Sequence, residues 1–428
     1  MDNSRRWSAG LCNASMLLYI GWLMLPMVQV RLKAVTGVLA LALFGVGVLL
    51  DGETLKAHWR DFLPRVLCLA ALPLLLIFFL YRGGNEMLGF YAEQVMFWFP
   101  LLWCAYARQR GAKAVYRFVF PVMLAVVVIT TLTTIGWLIE GMLREEGKVY
   151  AYARSLGDGS EGRQVYLNEL MSRNIGGYGF IYASVFALPF TFFLAGDARG
   201  WRRFGFTALY VLQLIVIALS QYTYAIIFAA AITAAELLGL MFRALWKKLS
   251  VAASLWCTVA VIVGVFAARI PLVGWLKKLA DALHFANIAS SLSQLLAVLR
   301  GGGIVEGSRL DAYATSWNSF LTSPFVGGVF SGQAELGMHS ELLDALAGMG
   351  ILGTAVFAAG VWVIGRGMGK NIRQSDALPH LGLQWIALAV FMVFGTVVYA
   401  REIPLMICLC TAFAVWTAQE KSSIIKQI

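Results

Sequence analysis

The chain is dominated by apolar runs of about 20 residues joined by short connections. This length matters because an α-helix needs about 20 apolar residues to cross the roughly 30 Å hydrocarbon core of a bilayer. Hydrophobic residues make up 60% of the 428 positions and charged residues 13%, about half the charged fraction of a typical soluble domain. A transmembrane β-barrel would show short alternating segments instead. The pattern predicts an all-α polytopic integral membrane protein with a single transmembrane domain, residues 1–428.

The runs predict about twelve transmembrane helices. They cover residues 14–30, 33–50, 62–81, 87–107, 117–140, 177–195, 205–220, 222–241, 249–269, 341–365, 380–400 and 404–417. We interpret the first run as a transmembrane helix rather than a signal peptide, because another apolar run follows it without a small-residue cleavage site. The pairs 205–220/222–241 and 380–400/404–417 are tight hairpins, either two spans each or re-entrant loops.

The orientation follows from the basic residues in the connections. With the N-terminus inside, 19 Lys and Arg residues fall at inner termini and connections, and 4 fall in short outer connections: Arg31, Lys33, Arg82 and Arg401. Cytoplasmic loops carry an excess of Lys and Arg. The sequence therefore predicts that both termini are cytoplasmic. The net charge of +11 is explained by the same bias, so nucleic acid is not an expected partner.

Two long polar stretches, residues 142–176 and 270–340, then face outward. Within the second, Leu residues recur at helical spacing over 273–299, which predicts amphipathic helices lying on the outer leaflet or capping the bundle. A further helix is predicted to begin at Arg309 and run through Trp317. It should end at the turn-rich residues 323–328. The next helix is predicted over 341–365.

Candidate chemistry lies in these outer stretches. An arginine guanidinium binds phosphate oxygens in a planar fork and stays charged, which makes Arg309, Arg401 and Arg173 candidate ligands of a lipid-linked diphosphate. His339 titrates near neutrality and could accept a proton from an attacking hydroxyl. The alternatives are ordinary ones: an outer arginine often contacts lipid headgroups or forms an ion pair, and a histidine at a helix start often caps or packs.

Metal and redox chemistry are not expected. The outer stretches carry no Asp-x-Asp pair and no close group of His, Asp and Glu in the sequence. All six cysteines fall in or beside apolar runs, where cysteine acts as a small apolar side chain. No metal and no cofactor are therefore predicted.

A set of motifs in the last 120 or so residues resembles the O-antigen polymerase/ligase superfamily. They are Gly307-Ser308-Arg309, Trp317, Ser323-Pro324 with Gly327, His339-Ser340-Glu341-Leu342 leading to Gly348, Gly350 and Gly353, and Arg401-Glu402-Ile403-Pro404. The element Ser172-Arg173-Asn174-Ile175-Gly176-Gly177-Tyr178 is similar to one found before a middle helix of polysaccharide polymerases.

The resemblance implies a metal-independent, inverting glycosyltransferase of the bacterial inner membrane that works at the periplasmic face. Such an enzyme transfers glycan from undecaprenyl diphosphate to an acceptor hydroxyl. Carried over, His339 would activate the acceptor, and Arg309, Arg401 and Arg173 would bind the diphosphate. Tyr178 and Glu341 would be further substrate contacts. Both polar stretches would then be periplasmic loops.

One departure bears on the choice between polymerase and ligase. Ligases of the superfamily tend to carry an arginine at the outer end of a mid-chain hairpin, where this chain has Ser220-Gln221-Tyr222-Thr223-Tyr224-Ala225. The missing arginine favours a polymerase that joins O-antigen or related polysaccharide repeat units. The alternative is the O-antigen ligase, which transfers glycan to lipid A-core of lipopolysaccharide. A chain-length regulator is a further candidate partner.

The rival from another class is a transporter or flippase of a lipid-linked glycan. Transporters place ionisable groups within their spans, near the bilayer midplane. Few charges fall within the predicted spans, among them Arg65, Glu93 and Glu236, and Glu236 is close to the inner end. These few charges favour the enzyme.

Overall fold

The computed structural model describes residues 3–80, 87–109, 113–144, 168–246, 269–282, 286–301, 309–328, 335–366, 376–398 and 400–425. These residues form fourteen α-helices and no strand. The helices are α1 (Asn3–Met24), α2 (Pro26–Leu50), α3 (Gly52–Leu80), α4 (Met87–Gln109), α5 (Lys113–Arg144), α6 (Tyr178–Asp197), α7 (Trp201–Ser220), α8 (Thr223–Trp246), α9 (Arg269–Ala282), α10 (Ala286–Leu299), α11 (Arg309–Thr322), α12 (Glu341–Gly365), α13 (Leu378–Phe394) and α14 (Glu402–Ile425). The all-α class is confirmed.

Several of these helices are suited to a bilayer. Within the described residues, six are long and apolar enough to cross a membrane, or seven if the bent pair formed by α1 and the start of α2 counts as one span. Large apolar side chains such as Leu49 and Val356 are exposed on the outside of the bundle. Apolar exposure of this kind suits a surface solvated by lipid rather than water. The predicted span 249–269 lies, except for its last residue, outside the described residues.

Helix α6 is at the centre of the bundle. Of its most apolar window, 83% is buried, against 22% to 44% for the other five long apolar helices. It packs against α7, α8, α13 and α14. Its aromatic side chains Phe180, Phe186 and Phe190 are all buried. Its first residue, Tyr178, therefore lies where several helix ends meet.

The connection between the first two predicted spans is not at residues 31–32, where the sequence pattern placed it. The chain turns at Leu25, and the axes of α1 and the start of α2 differ by 102°. Proline has no backbone N–H and disfavours the helical region in the residue before it, and Pro26 is the first residue of α2. Leu25 is accordingly extended, with φ −112° and ψ 93°. Arg31 thus lies within α2 rather than in a connection.

Helix α12 follows the predicted bounds but is interrupted at Gly350, where φ is 64° and ψ is −174°. Residues 323–328, the predicted turn after α11, pack into this interruption. The backbone N–H groups of Ile351 and Leu352 donate to the carbonyls of Pro324 and Phe325, at 2.9 and 3.0 Å. The turn thereby satisfies backbone donors that a helix start would otherwise leave free.

The predicted span 380–400 is helical only to Phe394. Residues 395–401, which we call the α13–α14 link, are irregular in their described part, and Gly395, Val397 and Ala400 are buried. Buried irregular backbone needs polar partners from neighbouring elements. Side chains from other helices therefore contact the link.

The predicted amphipathic stretch 273–299 forms α9 and α10, which pack against each other. Their apolar faces enclose Val273, Ala280, Leu292 and Leu296, and Ile226 of α8 packs against this cluster. Helix α11 begins at Arg309 as predicted and extends to Thr322. The apolar cluster of α9 and α10 thus lies close to the start of α8.

Candidate functional site

The guanidinium of Arg309 lies among aromatic rings. Its central carbon is 4.9 Å from the ring centroid of Tyr224 on α8, a cation–π geometry. One turn further along α11, the hydroxyl of Tyr313 donates to the carbonyl of Phe394, at 2.7 Å. The hydroxyls of Tyr224 and Tyr313 are 3.5 Å apart. Residues of α8, of α11 and of the end of α13 are therefore close together around Arg309.

Three more tyrosines extend this aromatic surface. Tyr178 and Tyr182 of α6 have ring centroids 4.5 Å apart, and Tyr222 packs edge-on against Tyr178 at 5.7 Å. The positive charge of Arg309 acts electrostatically on Tyr178 and Tyr182. We call the five residues Tyr178, Tyr182, Tyr222, Tyr224 and Tyr313 the tyrosine cluster. Burial raises the pKa of Tyr313, so its hydroxyl remains protonated and available as a hydrogen-bond donor.

The positive charge of Arg309 acts on the side chain of His339. The side chain is exposed, in the short segment that precedes α12. The pKa of His339 is lowered, first by the protein that covers part of the ring and then by the positive charge of Arg309, while Asp344 opposes the shift. An imidazole with a lowered pKa is neutral at neutral pH. A neutral imidazole can accept a proton from a hydroxyl group.

Glu341 holds the α13–α14 link. Its Oε2 accepts hydrogen bonds from the backbone N–H groups of Val397 and Val398, each at 3.1 Å. Its own backbone N–H donates to the carbonyl of Gly395, at 3.0 Å. These bonds give Glu341 a role in holding the backbone. Its assignment as a substrate contact stays a prediction.

Tyr178 also contacts the link, since its hydroxyl donates to the carbonyl of Thr396, at 3.0 Å. Tyr178 thus joins the link to the tyrosine cluster around Arg309. The assignment of Tyr178 as a substrate contact stays a prediction, and its position beside Arg309 is compatible with it.

Arg401 closes the other end of the link and has different neighbours. Its guanidinium carbon is 5.0 Å from the ring centroid of Trp22 on α1, and its Nη1 is 4.0 Å from Glu93 on α4. Arg401 is therefore positioned on the α1–α4 side of the link, whereas Arg309 contacts α8.

Arg173 belongs to a third neighbourhood. Its guanidinium lies 4.7 Å from the ring centroid of Trp137 on α5 and forms an ion pair with Glu169. The adjacent Asn174 donates to Thr133 on α5, at 3.1 Å. These contacts anchor the start of α6 to α5. Arg154 and Arg163, the other arginines of the first polar stretch, lie outside the described residues.

The sequence pattern predicted Arg309, His339 and Tyr178 as site residues, and the charge of Arg309 acts on both His339 and Tyr178. It did not identify Tyr224 and Tyr313 as neighbours of Arg309. Tyr224 lies in residues 220–225, where ligases of the resembled superfamily tend to carry an arginine. The available signal was the pair Tyr222 and Tyr224 at the turn of the hairpin. In the described part of the chain, no three His, Cys, Asp or Glu side chains gather as metal ligands would.

Comparisons of the chain with models of protein families, with curated proteins and with solved structures find no match.

Proposed function

We propose that the chain is an inverting, metal-independent glycosyltransferase that uses a lipid-linked glycan diphosphate. The observation that carries the proposal is the position of the His339 segment against α11: Gly337 lies against the backbone of Ala312, one turn from Arg309, and the charge of Arg309 lowers the pKa of His339. A diphosphate leaving group needs a cation, and an attacking hydroxyl needs a base. The tyrosine cluster adds aromatic faces and hydroxyl groups of the kind that bind sugar rings.

In the proposed reaction, the acceptor hydroxyl attacks the anomeric carbon from the face opposite the diphosphate. The new carbon–oxygen bond forms as the bond to the phosphate oxygen breaks, which inverts the configuration. His339 takes the proton of the hydroxyl, and Arg309 stabilises the negative charge that develops on the leaving diphosphate. Arg401, the last residue of the α13–α14 link, is proposed as a second phosphate ligand.

We propose the topology that goes with this chemistry: twelve spans, both termini cytoplasmic and the site at the periplasmic face of the bacterial inner membrane. The contacts support it. The residues of the candidate site come from the starts of α6, α8, α11, α12 and α14 and from the end of α13. Arg5, at the start of α1, pairs with Glu53 of α3. Arg366, at the end of α12, pairs with Asp61 of α3. These four charges lie on the side with the basic excess.

The first experiment tests the chemistry directly. The purified protein in lipid nanodiscs receives an undecaprenyl-diphosphate repeat unit alone, and lipid A-core is then added. Ladder formation without lipid A-core identifies a polymerase of O-antigen or related repeats, and transfer only after the addition identifies the ligase. We expect His339→Ala to abolish the product, and the control His58→Ala, in α3, to keep it. An unchanged product from His339→Ala would exclude the role of general base.

A transporter or flippase is the second candidate, and one observation favours it. Nδ1 of His380 lies 2.8 Å from the carboxylate of Glu236, and each side chain is only 7% exposed. Buried ionisable pairs within helices of a membrane protein often mark ion or proton pathways. If the chain is a transporter, Glu236→Gln will abolish movement of a lipid-linked glycan across proteoliposomes. If it is the proposed enzyme, Glu236→Gln will leave the reaction of correctly folded protein intact.

A further inference from the structure

The segment that carries His339 is fastened to two helices by one buried carboxylate and one hydroxyl. Asp344, one turn into α12, is 7% exposed, and its Oδ1 accepts a hydrogen bond from Oγ of Ser316 on α11, at 2.6 Å. Its Oδ2 accepts from the backbone N–H of Ser340, at 3.3 Å. Oγ of Ser316 in turn accepts from the backbone N–H of Gly337, at 2.8 Å. The backbone is therefore held on both sides of His339.

The conformation of the segment shows why such fastening is needed. Met338 has φ 59°, a left-handed conformation that residues other than glycine rarely adopt. Gly337 lies directly against the backbone of Ala312 on α11, which leaves no space for a Cβ atom. The backbone N–H of Met338 also bonds to Asp344. A strained backbone persists only where the surrounding structure holds it.

Asp344 is an unusual residue for its place. It lies in a predominantly apolar helix, where a buried carboxylate is unfavourable unless donors surround it. The donors that surround it all belong either to Ser316 or to the His339 segment. The charged groups that act on His339 are Arg309 on α11 and Asp344 on α12, with opposite effects on its pKa.

We infer that Asp344, together with Ser316, is a positioning residue for His339: it fixes the backbone on both sides of the imidazole and so sets the direction of the ring. The inference rests on the proposed function only for its consequence in catalysis. The carboxylate fixes residues 337–340 in their strained path, and its negative charge counters that of Arg309 at the ring. Without the carboxylate, His339 would lose its orientation and hold its proton less well.

The test uses the full-length protein in nanodiscs and has two independent readouts. The first is the pKa of His339, measured by NMR with labelled histidine and assigned by the loss of one signal in His339→Gln. We expect Asp344→Asn to lower this pKa, because an attractive charge is removed. Ser316→Ala keeps the carboxylate and should change the pKa less. Asp281→Asn, on exposed α9, is the control and should change nothing.

The second readout is the pH profile of glycan transfer. For Asp344→Asn we expect kcat to fall about 10- to 100-fold, because a misplaced catalytic group slows the chemical step. The KM for the donor should stay nearly unchanged. The acidic limb of the profile should move to lower pH with the pKa of His339. Ser316→Ala should lower kcat without moving the limb.

The outcomes separate this inference from the proposed function. An unchanged pKa of His339 in a folded Asp344→Asn variant overturns the inference, even if His339→Ala is inactive. If the wild-type protein transfers no glycan but Asp344→Asn still shifts the pKa of His339, the inference is supported and the proposed function is overturned. If Asp344→Asn does not fold, Ser316→Ala decides the inference, and wild-type kcat in that variant overturns it.

Discussion

Gly350 allows a sharp test of how α12 and the candidate site are held together. Its φ of 64° and ψ of −174° lie in a region that is essentially restricted to glycine. A Cβ atom at this position would lie 2.5 Å from the backbone nitrogen of Gly327 and from the carbonyl group of Phe325. Backbone atoms cannot move aside as the end of a flexible side chain can. Gly350→Ala should therefore separate the turn at residues 323–328 from α12.

The magnitude follows from what this separation removes. Forcing a non-glycine residue into the conformation costs about 1–3 kcal/mol. Three backbone hydrogen bonds are also lost, each worth about 0.5–1.5 kcal/mol. They are Gly328 N–H to Ala347 O at 2.8 Å, Ile351 N–H to Pro324 O at 2.9 Å and Leu352 N–H to Phe325 O at 3.0 Å. The sum, about 2.5–7.5 kcal/mol, is a large part of the roughly 5–15 kcal/mol that stabilises a typical folded protein.

Gly136→Ala is the matched control. Gly136 lies on the exposed face of α5, and a Cβ atom there would have no neighbour within 4 Å. Alanine is favoured over glycine in a helix by about 1 kcal/mol. In one detergent and at one scan rate, we expect the apparent unfolding temperature to fall sharply for Gly350→Ala and to stay level or rise for Gly136→Ala. Equal unfolding temperatures for the two variants would refute the reasoning.

Three further predictions concern the site. Glycan transfer should depend on a neutral His339, so its rate should rise with pH through a pKa below the usual value of about 6.5 and level off above it; a rate that falls over that range would contradict the role of base. Arg309→Lys should lower kcat/KM at least about tenfold, because an ammonium lacks the planar fork, while Arg300→Lys, at the exposed end of α10, should leave it unchanged. Full activity of Arg309→Lys would reduce the contact to a point charge. Glu341→Gln should lower the apparent unfolding temperature by replacing a charged acceptor of two backbone N–H groups, and an unaltered temperature would show that the α13–α14 link is held without that charge.

The helices themselves could be predicted because their signal is local. Apolar runs of membrane-crossing length, the amphipathic spacing over 273–299 and the start at Arg309 all correspond to observed helices in the described residues. The turn at Leu25 was also encoded locally, by Pro26, but the charge of Arg31 suggested a later boundary. The number of spans and their orientation stay predictions.

The interruption of α12 could not be predicted, because its cause lies elsewhere in the chain. Gly350 stands in an apolar run like several other glycines, and only the approach of residues 323–328 makes its positive φ necessary. Glu341 gave the same difficulty. A carboxylate at a helix start is typical of capping, and its actual partners belong to a link more than fifty residues away.

By itself the sequence determined that this chain folds into helices suited to a lipid bilayer, since run length and polarity are properties of consecutive residues. It also determined which residue types, His339 and the arginines, were available for chemistry outside the apolar runs. Only the tertiary structure decided which of them meet: Arg309 shares its surroundings with His339, whereas Arg401 lies over Trp22 and Arg173 over Trp137. The physical reason is that the partners of a side chain depend on how distant helices pack, and packing is decided by contacts that no stretch of consecutive residues contains.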